Sequence, residues 1–278
     1  MKSVIGLTKT GVELASLFEQ YPQYSVYKIS THVKRGAKKC HALKERSNPE
    51  EYDAKPPRLK TFFKDVDEEV LFIVSGDSIE SAASLQILYQ LRDKKIDILY
   101  FIPDEFFMND VERLNERAVY HILQEYARSG MVNSVCLVDG KKLEEMLADK
   151  LTIENHNDII GEYVVSSYHM MNVFTHTEAA LANASPISEI SRVNTFGVAA
   201  LGSTENLLFS LDNVREKEYY FAIQRDKMNS RETLANIKQH IKENNTNESV
   251  NYYVHPTSYD EDYVYTKAYS SVVQERNK

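Results

Sequence analysis

Short apolar runs alternate with helical spacing through the first half of the chain. Residues 4–7, 70–74, 98–102 and 135–138 are apolar at nearly successive positions, as strands buried on both faces are, and 25–30 reads as a further strand. Helical patterns lie between them. Val12, Leu14, Ala15 and Phe18 recur at helical spacing and stop near Pro22. Ile79, Ala82, Ala83, Ile87, Leu88 and Leu91 fall on one face, and 141–148 reads as a short helix. A helix over 111–127 carries Leu114, Ala118, Ile122 and Tyr126 at intervals of four. This alternation predicts an α/β fold with a doubly wound, mostly parallel, Rossmann-like sheet.

The rhythm changes twice. Residues 31–66 hold ten Lys/Arg and three prolines, which reads as a long surface excursion, a solvated loop or a partner-binding one. Residues 158–184 read as one long helix on Ile160, Val164, Ser167, Met171, Phe174 and Leu181. At about 1.5 Å per residue it would be roughly 40 Å long, enough to run through a domain core. Beyond Pro186, residues 193–200, 219–223, 250–255 and 263–273 read as strands, and 230–243 as a helix with Leu234, Ile237 and Ile241 inward. In the last strand Val264, Thr266 and Ala268 alternate with tyrosines and Lys267, giving one buried and one amphipathic face. The expected organisation is an α/β domain of nucleotide-binding type over 1–157, a central core helix over 158–185, and a smaller α+β C-terminal domain over 186–278.

Composition narrows the function classes. With 41 acidic against 33 basic residues the net charge is −8, which disfavours general nucleic-acid binding through phosphate neutralisation. Cys40 and Cys136 stand far apart with no CxxC or Cys/His array, so free thiols are expected and no metal site. His169 and His176 are seven apart on the long helix but lack a third ligand, and the Met170-Met171 pair reads as core. No apolar run approaches a membrane span, and the N-terminus is too short and polar for a signal peptide, so a cytoplasmic protein is the expectation. There is no GxxxxGK[ST] loop, GxSxG elbow or HExxH pair.

The most informative segment is the turn after the strand at 70–74. It reads Ser75-Gly76-Asp77-Ser78-Ile79-Glu80-Ser81, with one glycine and two carboxylates. A phosphate-binding turn at this place in an α/β domain is glycine-rich, so that backbone N–H groups reach the ligand. Here Asp77 or Ser78 caps the following helix, Glu80 sits in its first turn, and an incoming phosphate meets negative charge. Two other polar segments stand out. Residues 4–11 keep Gly6 and Gly11 around Leu7, Thr8, Lys9 and Thr10, and Asn48-Pro49-Glu50 follows a basic stretch.

The order of elements and loops resembles the tubulin/FtsZ superfamily over nearly the whole chain. By that resemblance 4–11 lies at the first phosphate loop, Asn48-Pro49-Glu50 at the third nucleotide loop, and 75–81 at the signature GGGTG[ST]G. Residues 98–103 match the next strand, and 134–147 the strand and helix before the core helix. Residues 185–193 fall at the loop that reaches into the next subunit of a filament and supplies acidic residues for GTP hydrolysis. The positions a nucleotide would contact are then Gly6, Lys9, Gly11, Asn48, Gly76 and Ser78, and the one catalytic candidate is Glu189. No role is carried onto Asn115, Glu116 and Arg117, whose register is ambiguous.

The departures from the pattern are as informative. The signature loop keeps only Gly76, and Asp77 and Glu80 stand where backbone must approach phosphate. Lys9 reads as a solvated loop lysine or as a phosphate contact. After the long helix Glu189 matches one acid, while Arg192 replaces another. Three degraded sites together imply a protein that acts through protein–protein assembly, as self-assembly or on a related filament, without GTP hydrolysis and without a cofactor. The alternative is a divergent filament-forming GTPase that binds GTP or GDP with magnesium. A second alternative is an unrelated enzyme on a doubly wound fold, with Asp77, Asp104 and Asp139 at the strand ends as its polar candidates.

Overall fold

The computed structural model describes residues 1–276. They form two compact units, one comprising Met1–Val165 with the segment from Val273 onward, the other Ser166–Val272.

The first unit follows the predicted alternation. Its elements are β1 (Lys2–Leu7), α1 (Lys9–Leu17), β2 (Tyr24–Ser30), β3 (Cys40–Ala42), α2 (Glu50–Ala54) and β4 (Glu69–Ser75). A 3-10 segment, Ile79–Ala83, runs into α3 (Ser84–Gln90), followed by β5 (Lys95–Ile102), α4 (Asp110–Arg128), β6 (Ser134–Asp139), α5 (Gly140–Leu147) and the start of α6 (His156–Thr175). The strand order is β3-β2-β1-β4-β5-β6, with every pair parallel. The chain winds outward from β1 to β3, then returns to β1's other side as β4. The order therefore reverses between β1 and β4, and their C-terminal turns lie side by side at the place where doubly wound sheets bind ligands. Val70, Leu71, Phe72, Ile73 and Val74 are all fully buried, as continuous apolar runs in a covered parallel sheet must be.

Three expectations are corrected. Residues 31–66 are not a free excursion: they contribute the edge strand β3 and helix α2, and Leu43, Tyr52, Leu59, Phe63 and Val66 anchor the segment in the core. On α4 the row at intervals of four faces outward, with Leu114 72% exposed; Val119, Tyr120, Leu123 and Ala127 face inward, together with Asn115, Glu116 and Gln124. The helix itself begins with a capping box between Asn109 and Glu112. The long helix α6 ends at Thr175, roughly 30 Å from its start, short of the predicted 184–185. Ile160, Val164, Ser167, Met171 and Phe174 are buried as expected, but Leu181 lies in a short exposed strand.

The second unit contains that strand, β7 (Leu181–Asn183), then β8 (Val193–Ala200), β9 (Val214–Gln224), α7 (Arg231–Asn244), β10 (Ser249–Thr257) and β11 (Tyr263–Ser270). Strand order is β8-β11-β9-β10-β7; β9 and β10 run parallel through the α7 crossover, and the other pairs are antiparallel. Ser230 caps α7 through the Glu232 N–H. Tyr219, Phe221, Ile223, Ile237, Val254 and Val264 form a core cluster, with Ile241 packed against it. Leu234, expected inward, is exposed instead. On β11 Val264, Thr266 and Ala268 are buried, and so are Tyr265 and Tyr269 on the other face. Tyr265 packs edge-on to Phe174 at 5.5 Å, and the Tyr269 hydroxyl donates to the buried Glu218 carboxylate.

Candidate functional site at the strand ends of the first unit

The turn after β1 is built for packing. Thr8 has a positive φ of 71° and caps α1, its Oγ1 accepting from the Gly11 N–H at 3.3 Å. A Cβ on Gly6 would lie 2.4 Å from the Gly11 carbonyl oxygen, and one on Gly11 would lie 2.8 Å from that of Ile73. These glycines let α1 press against β1 and β4. Lys9 is largely solvated and pairs with Glu13 one turn on at 4.0 Å.

The turn after β4 is closed by the chain's own side chains. Asp77 does not cap the following helix; it accepts from the Thr10 hydroxyl and so ties the two neighbouring turns together. Burial pushes the Asp77 carboxyl up, against the pull of the donors from Thr10 and Thr8. Ser78 occupies the helix N-cap without a side-chain bond, while its carbonyl accepts from Ser81 Oγ at 2.8 Å. Glu80, only 5% exposed, is in the first turn as expected, but its carboxylate faces the end of β2. It accepts from Ser30 Oγ at 3.0 Å, the Thr31 N–H at 3.1 Å and the Thr31 hydroxyl. Tyr52, from α2, is buried near it, and burial together with the Glu80 charge pushes that phenol up to about 12.

Gly76 has a packing reason of its own. A Cβ there would lie 2.3 Å from Cγ of Glu116 and 2.5 Å from the Tyr100 hydroxyl. The space that a side chain would need at this glycine is filled by protein. Asn115, next to Glu116 on α4, donates to Ser81 Oγ at 2.8 Å and to the Ser78 carbonyl at 3.3 Å, holding the turn from behind. Two carboxylates, Asp77 and Glu80, thus belong to this turn, and both accept from the chain's own donors.

Beside Thr10 lies a cavity of about 440 Å³, walled by Leu14, Leu17, Phe101 and Ile160 and rimmed by acidic residues including Glu13 and Asp104. Its volume suits a small molecule, and its rim disfavours an anionic one. His156, on the same rim, bridges Glu144 and Asn157 at 3.0 Å each. Asp104 and Asp139 spend their carboxylates on capping, Asp104 to the Phe106 N–H at 2.9 Å and Asp139 to the Lys141 N–H at 3.0 Å. Among the described residues no group of three or more His, Cys, Asp or Glu side chains is placed to hold a metal ion.

The structure thus gathers Gly6, Gly11, Gly76 and Ser78 at the β1 and β4 turns, and leaves Lys9 on the surface. Asn48 serves locally, its Oδ1 accepting from the Glu51 N–H at 3.1 Å at the start of α2. Glu189 belongs to the second unit, in an exposed loop where its carbonyl accepts from Arg192 Nε at 2.7 Å. The Ser188 N–H of that loop donates to Glu216 at 2.9 Å, and Ser191 Oγ at 3.2 Å. Sequence reasoning missed Ser30, Thr31 and Tyr100 and carried no role onto Glu116; the signal at each was a polar residue inside or beside an otherwise apolar element.

Comparison with known protein families and with curated proteins finds no match. Solved structures do match. A GTPγS-form protofilament of TubZ from Bacillus thuringiensis serovar israelensis aligns at TM-score 0.75 and 12% identity, over 96% of this chain and 87% of that one. An empty FtsZ dimer from M. jannaschii aligns at 0.68 and 10% identity, over 97% and 88%. CetZ1 from Haloferax volcanii, a GDP-bound monomer, aligns at 0.62 and 12% identity, over 98% and 94%. The chain therefore has the tubulin/FtsZ fold, across nearly its whole length. Among the described residues no helix is long and apolar enough to cross a membrane.

Proposed function

We propose that this chain is a tubulin/FtsZ-fold protein that acts by assembly, with copies of itself or on a related filament, and does not hydrolyse GTP. The observation that carries this reading is the closure of the two central turns by internal carboxylates: Asp77 on Thr10, and Glu80 on Ser30 and Thr31. In this reading the carboxylates do for the positive turn and strand ends what a bound phosphate would do, so the subunit holds its shape without ligand. The filament forms among the solved structures of this fold support assembly as the activity.

The test is calorimetric titration of nucleotide-free protein with GTP and GDP, with and without magnesium, alongside sedimentation of the same preparation at rising protein concentration. No binding at millimolar nucleotide, with concentration-dependent sedimentation, is the expected result. Micromolar binding overturns the reading. It would favour a divergent GTPase, for which the nucleotide-bound forms of TubZ and CetZ1 are the supporting observations.

A further inference from the structure

Behind the Gly76 turn, the two side chains that meet Gly76 belong to a second site that is already filled. Glu116 is fully buried in α4, a position that an ionised carboxylate holds only with compensating donors. Tyr100, also fully buried, donates its hydroxyl to Glu116 Oε1 at 3.1 Å. The other oxygen, Oε2, receives Nη1 of Arg276 at 2.5 Å. The same guanidinium contacts Glu105 Oε1 at 2.7 Å and donates from Nη2 to the Pro103 carbonyl at 3.1 Å. Its other side faces little solvent, since the side chain is 18% exposed.

Arg276 reaches this place on a short segment that is itself seated. The Gln274 N–H donates to Gln124 Oε1 at 2.7 Å, and Gln124 Nε2 returns a bond to the Gln274 carbonyl at 3.2 Å. A side-chain amide thus reads the tail's backbone as a neighbouring strand would. Nη1 meets two carboxylates and Nη2 a carbonyl, a set of contacts that suits a forked, many-donor cation and not a point charge.

We propose that Glu116, Glu105, Tyr100 and the Pro103 carbonyl form a guanidinium-binding site, and that Arg276 is its resident, removable ligand. Withdrawal of the 274–276 segment leaves a buried carboxylate without its cation, directly against Gly76, so occupancy of the site governs the shape of the β4 turn and the 103–107 segment. The inference is independent of whether nucleotide binds.

The experiment is thermal denaturation of Arg276→Ala, with ethylguanidinium or ethylammonium added at equal ionic strength. Loss of one partner of a buried pair should lower Tm by roughly 5–10 °C. Ethylguanidinium should restore much of that loss and ethylammonium none, and neither should raise the Tm of wild type, whose site is filled. Arg276→Lys should recover only part of the stability, because it lacks the fork. Arg276→Ala/Glu116→Gln, which buries no unpaired charge, should be insensitive to ethylguanidinium. Should Arg276→Ala not fold unaided, soluble recovery on refolding with ethylguanidinium, but not with ethylammonium, reads the same site. Equal response to the two cations, or a persistent response in the double variant, overturns the proposal.

Discussion

Both units bury hydrogen-bonded carboxylates, Glu218 of the second accepting from Tyr220 and Tyr269, and they differ in what else they bury. The first buries carboxylates at its strand ends and supplies donors to them: Asp77, Glu80 and Glu116 all accept hydrogen bonds from side chains remote in sequence. The second buries imidazoles against its sheet. His255 is 2% exposed, stacks on Phe174 at 4.6 Å, and has no hydrogen-bond partner at either ring nitrogen. His169 and His240 are buried too, and burial holds all three imidazoles below the ordinary histidine range. The first arrangement fixes the geometry of turns. The second packs rings, with His240 Nδ1 accepting from the Gly202 N–H at 3.4 Å, and it becomes a liability when protonated.

The largest effect should come from Glu80→Ala. It orphans two hydroxyls and a backbone N–H in a buried place, and should cost about 3 kcal/mol in denaturant unfolding. A loss under 1 kcal/mol would mean that water already serves these donors. Next come two changes that should bend the stability–pH curve in opposite senses. The His255 value lies below its unfolded 6.5, so the unfolded chain binds more protons as pH falls below about 6.5, and stability is lost in that direction. His255→Phe should flatten this acid loss. Asp77 and Glu116 lie above their unfolded values, 3.8 and 4.5, so the folded chain binds protons more tightly, and stability falls as pH rises through that window. Asp77→Asn keeps an acceptor for Thr10 and should remove part of that fall. Unfolding free energies measured from pH 4 to 8 separate the two slopes, and parallel curves for both variants and wild type would contradict the assignment.

The smallest effect should be that of Glu216→Ala. This residue ties the 186–192 loop as Glu80 ties the β2 end, but from a half-exposed position, so the change should cost about 0.5–1 kcal/mol. On the functional side, Asp77→Gly/Glu80→Gly should leave the protein without measurable GTP affinity, and Arg192→Asp should leave assembled protein without GTP turnover. Tightened nucleotide binding in the first variant, or phosphate release from the second, would favour the GTPase reading.

The alternation of apolar runs made five strands of the parallel sheet legible, because a strand covered on both faces has little choice of residue. Position in that order also located the β1 and β4 turns. What was not legible depended on partners far away in the chain. The α4 face was misread because its inward positions include Asn115, Glu116 and Gln124, which are buried only because Ser81, Arg276 and Gln274 meet them. β7 escaped notice because all three of its residues are exposed and it is held by backbone pairing to β10 alone. Within the site, Gly6 and Gly76 look from sequence like remnants of phosphate loops, whereas each is required by a close protein contact.

The pairing of Arg276 with Glu116 also sets a clock. The two residues are 160 positions apart. At about 5–20 residues per second, a ribosome that has made Glu116 takes roughly 10–30 s to make its partner. Once β6 (Ser134–Asp139) has followed Glu116, the nascent first unit has every strand of its sheet but not the cation that neutralises its buried carboxylate. The unit is sealed by a residue made after the whole of the second unit, so its completion reports that synthesis has passed through both.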